Sequence, residues 1–365
     1  LSGISSFSST NIGSYFCSIK FSDSSNFDVQ KAWVWGKHQS DKKKFKNTLY
    51  VGSKEEIKFL NHYSKTSKLA LDLINMPANE LNPLTFYQNI KKHELFSKLY
   101  FKEYSISQIK TQFPLTYAVG KSSNVNPHFL QVSNKKITNK DQPIVIIGKG
   151  VTFDTGGVNI KPGSSMRNMK KDMGGAATVL GLALMLLEAQ LDIRLRVLIP
   201  AVENSISSSA FRPQDILKSR KGLTVEINNT DAEGRLILAD AISLADEEAP
   251  ELLICMATLT GAARIALGSD IAPFYTDDDD LAKKVFDFGE EYFDPTWRMP
   301  FWNPYERMIE PTIADLDNAP RTSFAGSLTA ALFLRRFVTK SKNFIHFDIY
   351  GWSDDERISR SKGGG

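Results

Sequence analysis

From Pro77 onward, short apolar runs typical of buried strands alternate with longer segments of helical periodicity. The run from Pro143 to Ile147 is fully apolar, and it is followed by a predicted helix over 174–190 and a second predicted strand over 195–202. Further strands are predicted over 224–228, 252–259 and 344–350, and a further helix over 236–248. Repeated strand–helix–strand order predicts an α/β fold, with a mainly parallel twisted sheet covered by helices on both faces.

The first part of the chain differs from this pattern. Residues 1–72 mix short apolar strings with Ser, Asn and a Lys cluster at Lys42 to Lys44, and we interpret them as a small α/β N-terminal domain. A helix is predicted over about 54–75, because apolar residues recur there at helical spacing until Pro77, and it would connect this domain to the larger one over 73–365. A chain of 365 residues is long enough for two domains.

Composition excludes several classes of protein. No apolar run is long enough to cross a bilayer. The two cysteines, Cys17 and Cys255, are too few for a disulfide framework or a thiolate zinc site, which points to a reducing compartment. The opening segment lacks Lys and Arg and is a poor secretory signal, so the expected location is the cytoplasm.

A glycine-rich segment, GKGVTFDTGG at 148–157, directly follows the first predicted strand. It matches neither a P-loop nor a dinucleotide-binding fingerprint. One interpretation is a glycine-rich turn in which Lys149 and Asp154 form a surface pair. The alternative is a ligand site, since such sites gather beyond the carboxyl ends of parallel strands.

Four acidic residues favour the second interpretation. Asp231 and Glu233 follow another predicted strand, and with Asp154 and Asp172 they would place four carboxylates at one edge of the sheet. Two carboxylates about 5 Å apart repel by roughly 3 kcal/mol at an effective dielectric constant near 20, so such a cluster favours bound divalent cations. The other interpretation is that each residue only caps a turn or a helix.

The histidines do not take part in this pattern. All five lie outside the acidic segments, and His346, in the last predicted strand, is expected in the core rather than as a ligand. An oxygen-dominated site suits Zn, Mn, Mg or Co.

Several motifs together resemble the leucyl (cytosol) aminopeptidase family of two-metal peptidases. They are GKGVTFDTGGVNIKP, MKKDMGG, NTDAEGRL and ATLTGA, and the similarity runs from about residue 30 to the end. The resemblance implies two divalent metal ions per subunit, Mn or Zn with Mg or Co as alternatives, bridged by Asp154 and Glu233. The implied ligands are Lys149, Asp154, Asp172, Asp231 and Glu233. Lys149 would have to lose its proton to ligate.

The function implied by this resemblance is hydrolysis of the N-terminal residue of short peptides by a metal-activated water. Lys161 would stabilise the oxyanion and Arg235 would hold a bicarbonate that shuttles the proton; the alternative for both is an ordinary salt bridge. The residues implied to line the substrate cleft are Met169, Asn229, Thr258, Leu259 and Gly261. Tyr350 and Ser353 differ from the small and apolar pocket residues of leucine-preferring members, which argues against a leucine preference.

The resemblance also implies a homohexamer built as a dimer of trimers, which a monomer mass of 40.8 kDa in solution would refute. Two other functions remain open. A DNA-binding regulatory role is permitted by the net charge of +4, although DNA is not the expected partner. An inactive structural homologue is the other, and retention of every implied ligand argues against it.

Overall fold

The computed structural model describes residues 14–16, 48–50, 54–135, 143–189, 191–292, 294–354 and 363–364. Its strands are β1 Ser14–Phe16, β2 Thr48–Tyr50, β3 Tyr100–Lys102, β4 His128–Ser133, β5 Ile144–Gly148, β6 Gly150–Asp154, β7 Leu195–Asn204, β8 Ile216–Lys218, β9 Thr224–Glu226, β10 Leu252–Ala257, β11 Ala272–Tyr275, β12 Thr296–Arg298, β13 Leu316–Asp317, β14 Phe344–Asp348, β15 Trp352–Ser353 and β16 Gly363–Gly364.

The helices are α1 Lys54–Asn75, α2 Pro83–Lys92, α3 Ile106–Gln112, α4 Pro114–Gly120, α5 Gly163–Met166, α6 Gly174–Glu188, α7 Glu233–Asp246, α8 Gly261–Leu267, α9 Asp279–Glu291 and α10 Gly326–Arg335. Short 3₁₀ turns cover Glu94–Phe96, Met169–Met173 and Asn303–Ile309. Within the described residues, no helix is both long and apolar enough to cross a membrane.

Nine of the described strands form one large sheet in the order β12, β11, β14, β10, β5, β7, β4, β3, with β6 paired to the far part of β7, whereas β13, β9 and β8 form a separate small sheet. Its centre, β14–β10–β5–β7, is parallel throughout. Strands β4 and β11 run antiparallel to their inner neighbours. The prediction of a mainly parallel sheet is therefore confirmed.

Helices cover both faces of this sheet, also as predicted. Val145 and Ile147 on β5 pack into a buried cluster with α7, whereas Ile146 between them packs into a second cluster with α6. Side chains alternate between the faces of a strand, so a strand buried on both faces must be continuously apolar. This requirement explains the apolar run that signalled β5 in the sequence.

Helix α1 has the bounds predicted for the connector helix. Leu73 and Ile74, near its end, are 2% exposed and belong to the same buried cluster as α6. The end of this helix is therefore part of the core of the large unit. Residues 17–47, which include Cys17 and the Lys42 to Lys44 cluster, lie outside the described residues. Before α1, the described part of the predicted small domain consists of β1 paired in parallel with β2.

Helix α6 begins in unusually close contact with the sheet. A Cβ atom at Gly175 would overlap the backbone of Met256 and Ala257 at the end of β10, and one at Gly148 would lie 2.6 Å from the Cα of Ala176. The Lys149 carbonyl accepts a hydrogen bond from the Ala176 amide at 2.9 Å. These contacts bring the turn before α6 to the carboxyl ends of β5 and β10.

We expect Gly175→Ala to destabilise the protein by about 1–3 kcal/mol, the usual cost of overpacking a well-packed interior. Gly181, on the same helix, is the matched control. Its added Cβ would meet Ala70 at an ordinary 3.6 Å, and Ala is favoured over Gly in a helix interior by up to about 1 kcal/mol. Denaturant unfolding of both variants measures the difference, and equal stabilities would contradict the close-contact explanation.

The structure explains two of the boundaries that differ from the sequence prediction. Strand β9 ends at Glu226 instead of residue 228, because the amides of Asn228 and Asn229 donate to Asn318 Oδ1 instead of a neighbouring strand. Helix α7 begins at Glu233 instead of residue 236. Its first turn shows no apolar periodicity because it faces Lys149, whose side chain occupies the space that a Cβ at Gly234 would need.

Candidate metal centre

Four acidic side chains meet at the carboxyl ends of the central strands. Asp154 ends β6, Asp172 lies in the 3₁₀ turn before α6, Asp231 lies between β9 and α7, and Glu233 begins α7. One oxygen from each of Asp154, Asp231 and Glu233 lies within 4.8 Å of the others. Segments that are far apart in the chain therefore meet at one point.

Lys149 joins Asp172 to this group. Its Nζ lies 2.7 Å from Asp172 Oδ2 and 3.0 Å from Glu233 Oε1, and it donates to the Thr258 carbonyl at 3.0 Å. Its side chain is 3% exposed. Burial by itself would lower the pKa of Lys149, but the neighbouring carboxylates raise it above its ordinary value. The interpretation of Lys149 and Asp154 as a surface pair is wrong.

Lys161 lies on the other side of the cluster. Its Nζ is 2.9 Å from Asp154 Oδ2 and also pairs with Asp231 Oδ1. Burial opposes the charge, yet the nearby carboxylates raise the pKa of Lys161 above its usual range. Its side chain is 13% exposed, so it is more accessible than Lys149.

Arg235 is placed differently, because no salt bridge between it and an acidic side chain is formed among the described residues. Its Nη1 donates to the Asn318 carbonyl at 2.7 Å, and its buried Nε has no hydrogen-bond partner within the described part of the chain. Burial lowers the pKa of its guanidinium to about 10. A buried guanidinium with a spare N–H donor suits a small anion.

The carboxyl groups are destabilised in their charged forms. Burial, together with the nearby Asp154, raises the pKa of Glu233 to about 8 and that of Asp231 to about 6. Burial likewise raises the pKa of Asp172. Among the described residues, these four carboxyl groups face Lys149, Lys161 and, near Asp172, the buried Lys171, so the ionised cluster carries excess negative charge.

One oxygen tests whether cations fit this donor set. Glu233 is 1% exposed, and its Oε2 has no hydrogen-bond partner among the described residues. Buried carboxylate oxygens are normally hydrogen-bonded or bound to a metal. An unpartnered oxygen beside two further carboxylates therefore fits an oxygen-ligated divalent cation.

The residues expected to line the substrate cleft differ in their burial and in their contacts with the acidic cluster. Thr258 is buried and its Oγ1 donates to Asp172 Oδ1 at 2.8 Å, whereas Asn229 is exposed and its Oδ1 accepts from the Asp231 amide. Gly261 is exposed, and a Cβ added to it would meet no atom within 4 Å in the described chain. Met169 is half-buried, and Leu259 packs against the core.

Other residues that hold the site were not singled out from the sequence. Asp348, at the end of β14, accepts hydrogen bonds from the amides of Leu259 and Thr260 and so holds the loop that carries Thr258. Asn204, at the end of β7, donates to Asp154 Oδ1 at 2.8 Å. A polar residue at the carboxyl end of a largely apolar strand was the available signal for both.

The expectation for His346 is confirmed. It is 1% exposed within β14, and burial lowers its pKa to about 3. The ring therefore belongs to the core beneath the site.

Comparison with known proteins decides the family. Residues 68–365 match the catalytic-domain model of the cytosol aminopeptidase family. The chain belongs to that family. It is therefore a leucyl aminopeptidase-like hydrolase, and the resemblance inferred from its motifs is confirmed.

Individual family members show how far the similarity extends. A probable cytosol aminopeptidase of Aquifex aeolicus is 37% identical over 343 residues, which are 93% of this chain and 69% of that protein. One from Xanthomonas oryzae pv. oryzae is 46% identical over 215 residues, but the alignment spans 59% of this chain and only 44% of that relative's length.

Solved structures of related proteins agree with the fold. The crystal structure of cytosol aminopeptidase from Coxiella burnetii superposes with a TM-score of 0.92 at 37% identity, covering 100% of this chain and 80% of that one. The bottromycin maturation enzyme BotP in complex with Mn gives a TM-score of 0.85 at 30% identity, covering 93% and 76%.

Proposed function

We propose that this family member is a metal-dependent aminopeptidase that removes the N-terminal residue of short peptides. The observation that carries the proposal is the unpartnered Glu233 Oε2 in a buried cluster whose acidic groups outnumber its lysines, within the described residues. Family membership supports metal dependence, and the Mn complex of a relative supports Mn as one suitable ion. The residues that would hold two divalent ions are Lys149, Asp154, Asp172, Asp231 and Glu233.

Two divalent cations at this position would supply Lewis acidity and would lower the pKa of water, so that hydroxide is available to attack a scissile carbonyl near neutral pH. The protein's own part is to hold donors around the reacting group. Lys161 is the cation at the accessible side, and we assign to it the stabilisation of negative charge that develops on the carbonyl oxygen. Lys149 is too deeply buried for that role.

Arg235 fits the anion-holding role within the same proposal. Its Nε is a buried donor without a partner in the described residues, and bicarbonate has the charge and oxygen acceptors to satisfy it. Arg235 would hold bicarbonate beside the acidic cluster, where it would supply a general acid–base group for the hydrolysis.

The proposal includes assembly as a homohexamer and a cytoplasmic location. Exposed apolar residues support contacts with other copies, since Ile265 on α8 is 88% exposed and Phe324, before α10, is 77% exposed. The substrates that reach the site would then be short peptides.

The experiment is amino-acid release from leucine, alanine and methionine amides by protein that has been treated with a chelator and then supplied with Mn²⁺ or Zn²⁺. We expect turnover only with metal, and none on the N-acetylated amides, because an aminopeptidase requires a free amino end. Absence of metal-stimulated release from all three amides would contradict the proposal.

A further inference from the structure

Asn204 is a fully buried polar residue at the point where β7 meets the acidic cluster. It is 0% exposed, and its Nδ2 donates to Asp154 Oδ1 at 2.8 Å and to the Thr230 carbonyl at 3.1 Å. Its backbone carbonyl accepts from the Thr155 amide at 3.0 Å and from Thr155 Oγ1 at 2.9 Å. One residue therefore bridges the end of β6 and the loop that leads to Asp231.

The orientation of the Asn204 amide follows from its neighbours. Both contacts of Nδ2 are to oxygen atoms that accept hydrogen bonds, so the NH₂ group must face them. The other end, Oδ1, has no hydrogen-bond partner among the described residues and faces Gly157, where an added Cβ would lie 3.1 Å from it. Gly157 has a φ of +66°, which glycine adopts readily.

These contacts fix how Asp154 presents its carboxylate. Oδ1 accepts from Asn204 and from the Gly156 amide at 2.9 Å, so Oδ2 is the oxygen left to face Lys161 and the rest of the cluster. The second contact of Asn204 holds the residue directly before Asp231. The Asn204 side-chain amide thus helps to set both the rotamer of Asp154, together with the Gly156 amide, and the distance between the two ligand loops.

We propose that Asn204 is a positioning residue that sets the geometry of Asp154 relative to Asp231 and Glu233, and through it the affinity for divalent cations, without touching metal or substrate. The inference rests on the proposed function. Partners that orient metal ligands commonly change metal affinity or activity by about 10–100-fold when they are removed.

The test is the affinity of Asn204 variants for Mn²⁺ alone, measured by titration calorimetry on chelator-treated protein. Asn204→Leu is of similar size but has no donor, and we expect it to bind Mn²⁺ about 10–100-fold more weakly than the unchanged protein. Asn204→Ser retains one hydroxyl donor and tolerates hydration, so we expect an intermediate loss.

Asn134 is the matched control, because its side-chain amide also hydrogen-bonds to backbone groups, but at the opposite end of β7. Its Nδ2 donates to the Ile193 carbonyl and its Oδ1 accepts from the Leu195 amide, both at 2.9 Å. We expect Asn134→Leu to lower the melting temperature while leaving Mn²⁺ affinity unchanged. The visible absorption of bound Co²⁺, which reports ligand geometry, should change only in the Asn204 variants.

The outcomes separate the inference from the proposed function. Failure of the unchanged protein to bind Mn²⁺ would overturn the proposed function itself. Tight Mn²⁺ binding by the unchanged protein and equally tight binding by folded Asn204→Leu or Asn204→Ser would overturn the inference alone. An equal loss of affinity in Asn134→Leu would also overturn it, because the effect would then follow general stability.

Discussion

Glu233→Gln is expected to lose tight metal binding and peptidase turnover together. Glu233 begins α7 beside two other carboxylates, with Oε1 3.0 Å from Lys149 Nζ and Oε2 unpartnered in the described chain. Glutamine keeps the size and one acceptor oxygen but removes the charge. Since removal of an outer partner already costs about 10–100-fold, we expect at least about 100-fold for a residue that would ligate directly.

Calorimetry with Mn²⁺ and kcat/KM on an amino-acid amide measure the two losses for Glu233→Gln. The control is Glu247→Gln, which removes an acidic group just beyond the other end of α7. Glu247 pairs with Arg220 at 2.8 Å and its side chain is 50% exposed, so neither quantity should change there. Unaltered Mn²⁺ affinity in Glu233→Gln would show that this carboxylate does not hold the metal.

Lys161→Met is expected to lower the peptidase rate without weakening metal binding. We expect kcat to fall by about 10²–10³-fold, the usual cost of removing one donor to a developing oxyanion. Mn²⁺ affinity should be kept or increased, because Lys161 pairs with Asp154 and Asp231 and its charge competes with a cation for those carboxylates. The readouts are kcat under saturating metal and Mn²⁺ affinity by calorimetry.

Lys91→Met serves as the control for Lys161→Met. Lys91 makes an exposed ion pair with Glu103 at 3.4 Å, and exposed pairs contribute little to stability or to a distant site. Two results would refute the assigned role of Lys161: an unchanged kcat, or a loss of Mn²⁺ affinity as large as the loss of rate.

The strands were predicted well where local sequence determines burial. The apolar run over 143–147 and the run over 195–202, apolar except for Arg196, correspond to β5 and β7, because a strand covered on both faces favours apolar residues throughout. Arg196 is buried with a hydrogen-bond partner, since it donates to Gln131 Oε1. Strand β6 was missed as an element. Its five residues, Gly150–Asp154, contain two that are polar, and the segment is a strand because it pairs with the far end of β7.

The sequence predicted which residue types form the acidic cluster, but not how they are arranged in space. Acidic residues after buried strands indicated that Asp154 and Asp231 would share an edge of the sheet. Nothing local indicated that Lys149 would lie between Asp172 and Glu233. That position depends on glycines 175 and 234, which let α6 and α7 approach closely enough for the lysine to reach both acids.

The sequence by itself therefore determined the layers of the fold and the chemical types at its functional edge, because burial periodicity and residue chemistry are local properties. Only the tertiary structure decided which carboxylate oxygen faces which lysine, and that Asn204 holds Asp154 in place. The physical reason is strand order: β5 lies between β10 and β7, so loops distant in the chain become neighbours through packing that no local preference encodes.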